Sequence, residues 1–150
     1  MSFEFINRIT VKKDGVYVSS RSSNDTSPYR SWKCEGLSKA YDSEGQKGLD
    51  REVIRMLYEN AQLRGNHKSL ERYRHVIGSD AAHAIYQEFI RKTDEQYEQM
   101  SEADRDSVWF KPTEKAKEYR AYAQEMREKM YFEIAELCEE YYKNTELKKY

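Results

Sequence analysis

The chain predicts an α+β fold: a small three-stranded antiparallel N-terminal meander packed on a helical bundle with a long C-terminal helix. Three observations predict it. Residues 3–11 alternate apolar and polar, the two-residue period of a half-buried strand. After Gly36 the apolar spacing changes to the three-and-four steps of helices. From Thr113 onward neither Gly nor Pro interrupts the chain, so nothing stops a helix there. A length of 150 residues suits one domain. It divides into a β-meander (1–36), short helices (37–112) and the long helix (113–146). Leu, Ile, Val and Phe are only about a sixth of the chain, which with a large net charge would read as disorder. Here 26 basic against 27 acidic residues leave −1, and 13 Tyr, 5 Met and 2 Trp supply apolar surface, so a tyrosine-rich core is expected.

In FEFINRITV, Phe3, Phe5, Ile9 and Val11 share one face and Glu4, Arg8 and Thr10 the other. Lys13-Asp14-Gly15 reads as a tight turn, because Gly supplies the positive φ of a bulged hairpin. Val16-Tyr17-Val18 begins the return strand. The polar run Ser19–Pro28 is a loop or a solvated hairpin tip. Tyr29–Cys34 is the third strand, with Trp32 and Cys34 expected against the helices beside Phe5, Ile9 and Val18. Residues 37–44 form a short helix that Gly45 and Gly48 break, and Asp50 caps the next one, with Leu49, Val53, Met56, Leu57 and Ala61 as its stripe. Gly65 ends it. His67 to Ile77 is a helix with Leu70, Tyr73, Val76 and Ile77 inward. Ser79 caps another, whose stripe is Ala82, Ile85, Tyr86, Phe89, Thr93 and Tyr97. Ser101 caps a short piece ending in Val108-Trp109-Phe110, three adjacent apolar residues expected to anchor the loop before Lys111-Pro112 stops the helix.

Thr113 then caps the long helix, roughly 50 Å if it reaches Glu146. Its stripe runs Ala116, Tyr119, Ala123, Met126, Met130, then shifts to Ile134, Leu137, Cys138, Tyr141. The elements before it cannot obviously cover so long a stripe. The near-heptad run to Met130 is therefore expected inside the fold. Tyr131, Ile134, Leu137, Tyr141 and Tyr142 are expected to form a protein interface, with a second copy or a partner. Truncation after Glu133 would then leave a folded monomer.

Motifs for catalysis fail: the chain has no glycine-rich phosphate loop, no G-x-S-x-G, no H-E-x-x-H and no paired C-x-x-C. His67, Glu71 and His75 fall one turn apart and suit a transition metal by ligand type, but a fourth ligand is missing. No metal and no cofactor is assigned. Cys34 and Cys138 lack ligand spacing and read as packed thiols. The densest basic patch is Arg64, His67, Lys68, Arg72 and Arg74, opposed only by Glu71. Such clustered donors at a helix entry suit phosphate, so nucleic-acid or anion binding is a candidate use. A helix-turn-helix is excluded, because its apolar positions would hold Asn60, Arg64, Asn66, Glu71 and Arg74. Residues 1–78 carry net +4 and residues 79–150 net −5, a layout that can steer a partner. With neither a signal peptide nor a transmembrane run in the sequence, a cytoplasmic location is expected, away from membranes.

The segments SRSSND…P…SWKC (Ser20 to Cys34), EGQKGLDREVIRMLYE (Glu44 to Glu59) and GNHKSLERYR (Gly65 to Arg74) resemble small proteins carried on conjugative elements and plasmids of gut bacteria. That group brings no activity or site residue to transfer. The resemblance implies an accessory role in a mobile genetic element inside a bacterium, such as blocking a host defence enzyme. The reading reached from the sequence is a non-catalytic protein-binding accessory factor, acting as a homodimer or with a larger protein partner. The alternatives are a nucleic-acid-binding accessory protein using helix 64–75, and a metal-dependent enzyme using His67, Glu71 and His75.

Overall fold

The computed structural model describes residues 4–22, 30–59 and 68–143. Phe3, the Phe5 side chain, residues 23–29, Ala61, residues 64–67 and the tail beyond Lys143 lie outside the described part. The α+β architecture is as expected. Strands β1 (Glu4–Lys12), β2 (Gly15–Ser22) and β3 (Arg30–Lys33) form an antiparallel sheet in sequence order, with β2 central. Ile9 faces Val18, Val11 faces Val16, and Val18 faces Trp32, which puts these side chains on the side that meets the helices. Ile9, Val16 and Val18 are fully buried. Trp32 is not: it shares their face but is 39% exposed, because β3 is the edge strand and the helices do not reach over it.

Helices α1 (Glu35–Glu59), α2 (Lys68–Ile77), α3 (Asp80–Glu98), α4 (Glu102–Asp106) and α5 (Glu114–Tyr141) follow. Two serines weld the sheet to them. The Ile9 N–H on the outer edge of β1 donates to Ser69 Oγ of α2 at 3.0 Å. The Val16 N–H donates to Ser38 Oγ of α1 at 2.9 Å, continuing the ladder where β3 stops. Ser79, Ser101 and Thr113 cap α3, α4 and α5 as expected, each accepting a backbone N–H three residues on.

The path of α1 corrects one expectation. Gly45, at φ 67 and ψ −147, makes the kink alone, in a region open essentially only to glycine. Gly48 is helical and buried against the carbonyl of Ala40, so the second limb folds tightly on the first. A Cβ at Gly48 would overlap that backbone oxygen and the Glu44 side chain. Gly48→Ala is therefore expected to destabilise by about 1–3 kcal/mol, the range for overpacking a filled site. An unchanged denaturant midpoint would show that the kink opens freely. Asp50 is not a cap; it lies within α1 and is fully buried.

The core joins the sheet face to α1, α2 and the far half of α5, around Leu37, Leu49, Val53, Ile54, Leu70, Val76 and Ile134. Tyr73 and Tyr131 are its largest buried side chains, so the core is tyrosine-rich as expected. Tyr58 links three helices, stacking on Tyr86 at 5.8 Å and lying 6.0 Å from Tyr131.

The long helix reverses the expected division. Its far half buries Met130, Tyr131, Ile134, Ala135 and Cys138, whereas its first half buries only Ala116 and Ala123. The first half of α5 instead pairs with α3. Tyr97 meets Tyr119 at 5.5 Å and the Arg127 guanidinium lies over Phe89, so the two helices run antiparallel. They form an arm that leaves the core, with α4 at its tip. The shifted stripe after Met130 is thus filled by this chain's own α1 and α2, and the expected interface at Tyr131 and Ile134 is interior. Leu137 and Tyr142 pack at the core margin and Tyr141 is exposed.

Candidate functional site

Two places carry the chemistry-bearing residues, one enclosed and one open. The enclosed one is built around Asp50. Its carboxylate accepts from Arg72 Nη2 at 2.7 Å, from the Tyr73 hydroxyl at 2.8 Å and from Gln46 Nε2 at 2.8 Å. Burial pushes the Asp50 carboxyl above its ordinary value, against the pull of Arg72, Gln46 and Tyr73. Burial, reinforced by the Asp50 charge, raises the Tyr73 phenol well above the usual range. Burial likewise pushes the neighbouring Cys138 thiol up to about 12, so it stays protonated. These four side chains tie α1 to α2 and set the Arg72 charge against that of Asp50, which is what a charge inside a core requires.

This cluster takes Arg72 out of the basic patch read from the sequence. Arg72 is buried, with its charge spent on Asp50, while Lys68 is exposed and Arg74 half-buried. Arg64 and His67 lie outside the described residues, so the structure does not bring the five together. A signal for Arg72 existed: it sits four residues before Val76 and three after Ser69, on the inward face of α2. His75 Nδ1 lies 2.9 Å from the Tyr142 hydroxyl, and its ring lies 5.7 Å from that of Tyr141. Among the described residues no group of three or more His, Cys, Asp or Glu converges to hold a metal ion, and no helix is long and apolar enough to cross a membrane.

The open place is the arm tip. Ser107 Oγ accepts the Thr113 N–H at 3.1 Å, and Thr113 Oγ1 donates to Asp104 at 2.7 Å. These bonds close the loop between α4 and α5. Val108 is buried beneath it, but Trp109 is 82% and Phe110 74% exposed. The expectation that all three anchor the loop therefore holds for Val108 alone. Three consecutive side chains cannot share one inward direction, and that adjacency was the signal. Lys111 has φ 50, the one positive φ outside glycine among the described residues, and it precedes Pro112. Such strain persists only where the surroundings fix it. The loop thus holds two large aromatics outward on a rigid mount.

Beside Trp109 a groove of about 440 Å³ runs along α5, lined by Lys117, Arg120, Gln124 and Arg127 among others. The Arg120 guanidinium lies 5.8 Å from the Trp109 ring centre, within cation–π range. Comparison with protein-family models, with curated proteins and with solved structures returns no match for this chain.

Proposed function

We propose that the chain is a non-catalytic protein-binding accessory factor of the cytoplasm, which engages a larger protein through the tip of the α3–α5 arm. One observation carries this reading: Trp109 and Phe110 stand in water on a loop pinned at both ends. Large aromatics are the residues that dominate binding energy when an interface closes over them. A pinned loop forfeits little entropy on docking, so more of that energy appears as affinity. The arm adds reach, since the first half of α5 does little for the core. The likeness of the first half of the chain to small proteins of conjugative elements and plasmids supplies the setting. A bacterial enzyme met by such an element, including one of host defence, is the kind of partner this reading names.

The double variant Trp109→Ala/Phe110→Ala tests it. Both side chains are already solvated, so stability should stay within about 0.5 kcal/mol of the parent. Affinity for the partner should fall by thirtyfold or more, about 2 kcal/mol. Parallel affinity capture from bacterial cells with parent and variant identifies the partner, and titration measures the loss. Recovery of the same proteins with equal affinity by both would remove the arm tip as the site.

A further inference from the structure

We propose that the groove beside Trp109 receives an acidic segment of the partner protein, a refinement that rests on the arm-tip reading. The argument is one of unpaired charge. Acidic and basic residues are nearly equal in number, and the arginines of the core and of the outer face of α3 are committed: Arg51 to Glu44, Arg55 to Glu128, Arg72 to Asp50 and Arg91 to Glu88 and Glu95. Among the described residues Arg120 and Arg127 have no acidic partner. Arg120 faces the Trp109 ring. Arg127 donates to the neutral Gln124 at 2.9 Å and lies over Phe89. Among the described residues no acidic side chain lines the groove, and the third cation, Lys117, meets Glu114 at 3.3 Å on the surface.

The spacing describes the occupant. Arg120 and Arg127 are seven residues apart, so they lie on one face about 10 Å from each other. Carboxylates at i and i+7 of a helix laid along α5 repeat that distance, and Trp109 with Phe110 would take an apolar side chain at its end. A nucleic-acid strand fits less well. Its phosphates would pass the tip, where Glu102, Asp104 and Asp106 of α4 stand close in the chain to Trp109. An acidic protein segment of limited length can fill the groove and stop short of them.

The test is selection of a displayed library of random 16-residue peptides on the full-length chain. Enriched peptides should carry net negative charge with at least one large apolar residue. Their binding should weaken with salt. It should fall at least about tenfold in Arg120→Glu/Arg127→Glu, as expected when paired charges at an interface are lost. If that variant misfolds by circular dichroism, Arg120→Gln/Arg127→Gln takes its place, with the same loss expected. Absence of enrichment, enrichment of neutral or basic peptides, indifference to both arginine variants, or tighter binding of a 12-residue oligothymidylate would each overturn the proposal. The Trp109→Ala/Phe110→Ala variant separates the two levels. Peptides lost with that variant but unmoved by the arginine changes leave the arm tip standing and remove the acidic occupant. Peptides unmoved by either set remove both.

Discussion

Asp50→Ala is expected to cost about 3–5 kcal/mol, a large fraction of what holds a domain of this size together. The loss comes less from the contacts deleted than from the group left behind. Arg72 is 5% exposed, and without Asp50 its guanidinium would remain in the core with its counter-charge gone. The Tyr73 hydroxyl would lose its acceptor at the same time. Replacing both ends, as Asp50→Leu/Arg72→Met, removes the stranded charge and should recover most of the loss, because a buried pair is worth little over apolar residues of similar volume. Denaturant unfolding of Asp50→Leu, Arg72→Met and the double gives the coupling. A cost below about 1 kcal/mol for Asp50→Ala would mean that Arg72 reaches water, contrary to its burial.

Truncation after Glu133 should abolish folding rather than release a monomer. It removes Ile134 and Cys138, both completely buried, together with Ala135 and the packing of Leu137 and Tyr142. Deleting one buried aliphatic side chain costs about 2–5 kcal/mol, so losing a whole turn and a half of core helix exceeds the ~5–15 kcal/mol that a domain holds. The sequence-based expectation was the reverse. Far-UV circular dichroism and a thermal melt decide: a cooperative transition in the shortened chain would return the C-terminal stripe to the role of an interface.

What could be read without the structure was whatever the chain settles locally. The alternation of Ile9, Val11, Val16 and Val18, and the caps at Ser79, Ser101 and Thr113, depend on neighbours a few residues away. At Asp50 and along α5, what spacing leaves open is which distant element arrives. Asp50 follows two glycines and imitates a cap, and only the approach of α2 makes it the partner of Arg72. Both halves of α5 carry apolar stripes, and spacing alone does not say which one meets the sheet and α1. Trp109 differs for another reason: apolar character alone does not bury a side chain, and Val108 already fills the place under the loop. The unpaired state of Arg120 and Arg127 did have a sequence signature: the positions three and four residues away hold Ala116, Lys117, Ala123 and Gln124 around the first and Ala123, Gln124, Met130 and Tyr131 around the second, none of them acidic.

The borders of the sheet govern how this chain meets others. A strand edge with idle amides is a template onto which foreign strands add, the first step of swapping and of fibril growth. Here Ser69 occupies the Ile9 amide on the outer side of β1, and Ser38 takes the Val16 amide of the central strand past the end of β3. β3 itself is four residues long and bracketed by Arg30 and Lys33. Backbone recruitment, which is indifferent to sequence, therefore has little ladder to extend. Encounters are left to side chains at the far end of the molecule, where recognition can discriminate. The sheet can thus stay unsociable while the arm carries aromatic bait, and selectivity and resistance to aggregation have separate seats in one small chain.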